Sequence, residues 1–286
     1  MAITTYSNTP HFDDFDQDNK YLRILFRPGR SVQVRELNQL QSNIQDQINA
    51  PLPKRMKVSG DQTVDLKIDI SRAARAKRPY MYAAVLHFPA NLTLDENGLR
   101  SFLDVQNKLH SKECQKRTLA GIASHDCSAV NWPLILDVAD VCDSDSTGSR
   151  NIFHALALQD RGPLPVREII ELLKNDTSVA KYTKEISSSK QFVFLADRGG
   201  DIISLYPVSN CAKTKNSPGM RQVLVEVSSC MDASVAKHVF MATIRAAIDI
   251  AEATSPRADD EHEIVTVQQV CVEGTMTPSR EDIGLL

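Results

Sequence analysis

Three consecutive residues, Ser124, His125 and Asp126, carry the side-chain types of a hydrolytic triad: a hydroxyl to attack, an imidazole to take its proton, a carboxylate to orient the imidazole. Neighbours on a strand point to opposite faces, so these three cannot converge on one another. His125 and Cys127 do share a strand face, and a thiol beside an imidazole is an allowed nucleophile and base. The plainer expectation is a packed His-Asp turn. The other histidines, His11, His87, His110, His154, His238 and His262, have no metal-ligand spacing. The six cysteines, Cys114, Cys127, Cys142, Cys211, Cys230 and Cys271, form no C-x-x-C pair, which predicts reduced thiols rather than a zinc site or disulfide framework. Gly199-Gly200 reads as a hairpin turn, not a phosphate loop. No metal and no cofactor are expected.

These residues need a scaffold, and the composition supplies material for one or two cores: 286 residues, 42% hydrophobic and 24% charged. No apolar run approaches the length of a membrane span, and Met1 to Pro10 lacks the layout of a secretory signal. Charge is segregated along the chain. Residues 1–50 hold five basic and six acidic groups, residues 51–79 eight and three, and residues 80–286 twenty and twenty-seven. Phosphate neutralisation supplies most RNA affinity, so the acidic large domain does not offer an RNA surface on average. A folded patch built from Lys54 to Lys57 and Arg72 to Arg78 would change that.

Along the chain, Thr4 to Arg30 reads as an extended arm ending in the turn signal Arg27-Pro28-Gly29. Val34, Leu37, Leu40, Ile44 and Ile48 recur at spacings of three and four and predict a helix with one narrow apolar stripe. Ala50-Pro51-Leu52-Pro53 stops it and marks a boundary. The alternation of Val64, Leu66, Ile68 and Ile70 predicts a strand, followed by a solvated basic connection over Arg72 to Arg78. Strands are expected at Tyr80 to Leu86, Arg117 to Ala123, Gln222 to Val227 and Glu263 to Val272. Helices are expected at Glu96 to Lys112, after Pro165, and from the N-cap Asp232 to Ala251. Asp137 to Asn151 reads as a loop, and Gln191 to Ala196 with Asp201 to Tyr206 as a hairpin. The mixed order predicts an α+β domain, residues 77–286, with a mixed sheet and packed helices; residues 1–50 form an arm and helix and residues 51–76 a basic linker with a short strand.

Two resemblances sharpen these expectations. Phe12-Asp13-Asp14-Phe15 through Tyr21, Ile24 to Gly29 and Val34 to Gln41 resemble the opening segment of baseplate and tail-fibre proteins of tailed phages. That resemblance implies docking to other phage baseplate or tail proteins, in multiple copies per virion, through Phe12, Phe15, Tyr21, Phe26, Arg27, Val34, Leu37, Leu40 and Ile44. Farther on, Gln106-Asn107-Lys108-Leu109-His110, Lys116-Arg117, Ile122 to Asp126, Ile203 to Asn210 and Val225-Glu226-Val227-Ser228 with Asp232 resemble the editing domain of the archaeal and eukaryotic phenylalanyl-tRNA synthetase β chain. Such domains hydrolyse tyrosine from its tRNA ester, and the family's pocket glutamate and asparagine fall on Glu226 and Asn210. Cys211 stands where that family has glycine, Tyr206 where it has proline and Ser229 where it has glycine, and each adds bulk at a pocket wall. With His125, these make up the candidate editing-pocket residues: Glu226, Asn210, Cys211 and His125.

The leading expectation is therefore a virion component, made in the host cytoplasm, whose large domain is a non-enzymatic interaction module. The alternative is a free-standing tRNA-editing deacylase, or a protein that binds tRNA or a synthetase without hydrolysis.

Overall fold

The computed structural model describes residues 56–59, 66–90, 92–141, 151–254 and 265–272. They belong to one compact unit spanning Pro53–Ile283. The nine arm and helix residues from Phe12 to Ile44 named above lie outside the described residues.

The unit is a mixed α+β fold in stacked layers. One five-stranded sheet has the order β1 (Met56–Ser59), β12 (Val265–Gln269), β3 (Tyr80–His87), β11 (Gln222–Ser229), β4 (Ala120–Asp126). Its pairs are antiparallel except β1 with β12. The six-stranded sheet runs β10 (Ser209–Asn210), β9 (Ile202–Tyr206), β8 (Gln191–Ala196), β5 (Leu134–Asp140), β2 (Lys67–Ile70), β13 (Cys271–Val272). A short ribbon pairs β6 (Ile152–Phe153) with β7 (Leu164–Pro165).

Alternation along the strands sorts side chains into three cores. Tyr82, Ala84, Val225 and Val227 face one way, toward α2 (Glu96–Ser111) and α5 (Ala233–Thr254), where Phe102, Phe240 and Ile244 cover them. Met81, Ala83, Val85 and Leu224 face the other way and meet Ile70, Leu136, Leu195 and Ile203 of the second sheet. The far side of that sheet, with Phe192 and Leu205, is covered by α3 (Val166–Leu173) and α4 (Ala180–Ser189). Strands buried on both faces lose polar–apolar alternation, which is why β11 reads as a nearly continuous apolar run.

The expected strands, helices and hairpin are present with shifted ends, and four differences have local causes. Arg72 to Lys77 forms a short helix, α1, rather than a solvated connection: Ser71 accepts from Ala74 N at 3.1 Å as N-cap, the alanines favour helix, and Ala74 is buried. Asp137 to Asp140 continues β5 instead of opening a loop, because it pairs with Gln191 to Phe194. The strand expected from Arg117 starts at Ala120, after Gln115, Lys116 and Arg117 turn through the left-handed region with φ of 46°, 55° and 66°. The last expected strand is split: β12 lies in one sheet and β13 in the other, with Val270 buried at the crossing. No helix among the described residues is long and apolar enough to cross a membrane.

Candidate functional site

A buried carboxylate in the middle of a sheet is the most demanding feature of the fold. Glu226 lies on the central part of β11, fully buried, with Ala83 and Ala123 as its cross-strand neighbours. These small residues leave room above the sheet, and that room is filled by polar groups from three segments. Burying a charge without partners is strongly unfavourable, so the partners define the site.

The partner strand brings them by an irregularity. Leu195 pairs with Ser204 and Ala196 with Ile202, so Ile203 is an extra residue, a bulge. It places two successive side chains on the inner face: Ile203 enters the central core and Ser204 reaches the carboxylate. Ser204 Oγ donates to Glu226 Oε1 at 3.0 Å and lies 3.1 Å from His125 Nε2. His125 Nε2 is 3.7 Å from Glu226 Oε1, and His125 Nδ1 is 2.8 Å from Thr214 Oγ1. With the serine proton given to Glu226, the serine oxygen accepts from Nε2–H and Nδ1 accepts from the threonine hydroxyl. The result is a buried chain Thr214–His125–Ser204–Glu226.

Tyr206 borders the same carboxylate. Its phenol is pushed well above its usual pKa by burial and by Glu226, with Arg78 opposing. Neither Tyr206 Oη nor Glu226 Oε2 has a hydrogen-bond partner. Arg78, 7% exposed, holds Ser228 Oγ and Ser228 O through Nε and Nη2 at 3.1 and 2.9 Å and stacks its guanidinium 5.2 Å from the Tyr206 ring.

A cavity of about 370 Å³ opens at the edge of the two sheets, between β4, β9, β10 and α2. Ser204, Tyr206, Ala123, Asn210, Gln106 and His110 belong to its wall. Glu226 does not: Ser204 and Tyr206 stand between it and the cavity. Ile122 N donates to His110 Nε2 at 2.9 Å, leaving that nitrogen no place for a proton, while Nδ1 is buried without a partner. Burial and the neighbouring Arg117 depress the His110 pKa to about 3.

Of the residues singled out in the sequence, Glu226 and His125 are brought together through Ser204. Asn210 lines the cavity and donates weakly to Ser124 O at 3.4 Å. Cys211 is not in the cavity wall; its side chain packs with Phe153, Ala155 and Phe192 in the outer core, and burial raises its pKa. Asp126 turns away to cap Cys127–Ala129, accepting from Ser128 N and Ser128 Oγ, and Cys127 packs in the central core, so neither a triad nor a Cys-His pair forms around His125. Ser204 and Thr214 were missed, while Tyr206 was noted only for its bulk at a pocket wall and Arg78 only as part of a basic run. The signal for Ser204 is a single hydroxyl inside the otherwise apolar run Ile202 to Tyr206. Among the described residues no group of three His, Cys, Asp or Glu side chains is placed to hold a metal ion.

Fold and site together define a two-sheet α+β domain with a ligand-sized cavity beside a buried carboxylate. No family model matches the chain. A segment of it resembles the phenylalanine–tRNA ligase beta subunit: the cytoplasmic one of Arabidopsis thaliana is 27% identical over 164 residues, 57% of this chain and 25% of that protein. The Drosophila melanogaster subunit is 28% identical over 164 residues, 57% of this chain and 26% of that protein. The chain thus spans about a quarter of the length of the curated relatives it matches. An N-terminal fragment of the phenylalanyl-tRNA synthetase beta subunit from Pyrococcus horikoshii has the same fold, with a TM-score of 0.59 and 18% identity over 78% of this chain and 55% of that one.

These matches correct the leading expectation. The proteins this chain resembles are tRNA ligase subunits rather than baseplate or tail components, which overturns the virion role, the phage partners and the virion location together.

Proposed function

We propose that this domain accepts the aminoacylated 3′ end of a tRNA and hydrolyses the ester. The observation that carries it is the cavity of about 370 Å³ whose lining includes Ser204, a residue with its hydroxyl bonded toward Glu226 and His125. The resemblance to tRNA ligase beta subunits supplies the substrate class. A volume in this range suits one amino-acid side chain and its ester.

In this reading the aminoacyl group sits in the cavity and a water lies on Ser204 Oγ. As the water oxygen bonds to the ester carbonyl carbon, its proton passes to Ser204 while the serine proton passes to Glu226 Oε1. His125 holds the serine oxygen from the other side, and Thr214 fixes the imidazole. The tetrahedral adduct then breaks its bond to the ribose oxygen, and the proton returns by the same route to that oxygen. Free amino acid and uncharged tRNA result.

The test is deacylation of mischarged and correctly charged tRNA by the purified chain. Ser204→Ala and Glu226→Gln are expected to lower kcat about 100-fold or more with little change in KM, the range for loss of a positioned proton-transfer group. One observation favours a binding-only reading: Tyr206 and Ser204, not Glu226, form the cavity wall. Acceptor-end binding by the wild type without any turnover would select it.

A further inference from the structure

A second cavity, of about 520 Å³, shares Arg117, Tyr206 and Pro207 with the first. Its wall carries four cationic side chains, Lys77, Arg78, Arg117 and Lys181, against one carboxylate, Glu185. Lys77 and Arg78 close the basic run noted in the sequence, whereas Arg117, in the left-handed turn before β4, and Lys181, on α4, are brought to them by the fold.

Among the described residues none of the four is in an ion pair with a carboxylate, although the Asp176 carboxylate acts on Arg117 from a distance. Arg78 is held by Ser228 and the Tyr206 ring, all neutral partners, although it is nine-tenths buried. Arg117 Nη1 donates to the carbonyls of Pro207 and Val208 at 3.1 and 3.4 Å, and burial lowers its pKa. Lys181 Nζ donates to Thr118 Oγ1 at 3.2 Å and lies 5.7 Å from the Tyr182 ring. The Arg78 and Arg117 guanidinium groups are largely withdrawn from water with no carboxylate in contact, which is unfavourable, and an anion placed between them and the exposed Lys77 and Lys181 recovers part of that cost. Arginine forks match phosphate oxygens in particular. The turn holding Arg117 is also held in place: Tyr182 Oη donates to Lys116 O, and three non-glycine residues there keep positive φ.

We infer that this second cavity binds a phosphate group of a nucleotide, and that Arg117, standing in the wall of both cavities, joins the phosphate site to the acyl site. The arrangement suits a ligand with a phosphodiester a short distance from an ester, which is the chemistry of an RNA acceptor end. This inference deepens the function proposed above and rests on it for the linkage, while the phosphate site itself stands on the four cations.

Binding of AMP, adenosine, inorganic phosphate and an RNA oligonucleotide ending in CCA is measured with the full chain by calorimetry at two salt concentrations. AMP and the oligonucleotide are expected to bind with salt-dependent affinity at least tenfold above adenosine. Inorganic phosphate competing with them as well as AMP does would assign the site to free phosphate rather than RNA and overturn the linkage. The exposed pair change Lys77→Gln with Lys181→Gln is expected to weaken AMP binding about tenfold or more without disturbing the fold, and Cys230, in the same wall, is expected to be protected from alkylation by AMP. Equal affinity for AMP and adenosine, or AMP binding unchanged in the double variant, overturns the phosphate site. AMP binding with no deacylase activity leaves the phosphate site standing and removes the hydrolytic function. Deacylation with KM unmoved in the double variant does the reverse.

Discussion

At the scale of single residues, the interior between the sheets holds polar atoms whose partners are incomplete, and these give measurable consequences. The Tyr206 hydroxyl is buried beside the Glu226 carboxylate without a hydrogen bond of ordinary geometry, and that proximity holds its pKa up. An unsatisfied buried hydroxyl costs stability, so Tyr206→Phe is expected to leave the protein as stable as the wild type or up to about 1 kcal/mol more stable in urea unfolding. A loss beyond about 1 kcal/mol would show that the hydroxyl has a partner. His110 gives a pH signature. Its folded pKa of about 3 lies below the unfolded value, so the unfolded chain takes up a proton first as pH falls. That stability is complete above the unfolded pKa and declines from about pH 6.5 toward pH 3. Between pH 7 and pH 5 the loss from this group is about 2 kcal/mol. His110→Gln, whose side-chain oxygen can still accept from Ile122 N, is expected to flatten the dependence in that window; an unchanged slope contradicts the assignment.

At the scale of elements, helix ends and strand irregularities position the site. Asp95 accepts from Gly98 N at 2.7 Å and caps α2, the helix that carries Gln106 and His110 to the cavity. Asp95→Ala is expected to cost about 1 kcal/mol, read as a shifted urea midpoint with unchanged slope. Much of this level was legible in the sequence. Pro165 marked the start of α3, whose buried face is Val166, Ile169, Ile170 and Leu173, and Gly200, at φ +87°, sits in the hairpin turn read from Gly199-Gly200. The site was legible in part: Glu226 and His125 came from matched motifs, but the bulge that lets Ile203 and Ser204 both face inward leaves no mark in an apolar run. Cys211 misled because bulk was assigned to a pocket wall when the side chain points into the outer core. Arg78 was read as solvated because a basic run was treated as uniform, whereas the helix formed by Arg72 to Lys77 ends by turning Arg78 under the sheet.

At the scale of the whole molecule, net charge says little about where charge collects on the folded surface. Residues 80–286 are acidic on balance, yet the fold sets Arg117 and Lys181 from that segment beside Lys77 and Arg78 from the basic one around a cavity with one carboxylate, Glu185. Two adjoining cavities, one beside a hydroxyl and carboxylate and one lined by cations, match an ester joined to a phosphodiester. The measurement that meets this account most directly is the hydrolysis of tRNA esters by the full chain, wild type beside Ser204→Ala. Turnover by the wild type is expected to fall about 100-fold in the variant with KM retained. Acceptor-end binding without turnover, or turnover that survives the loss of Ser204, contradicts it.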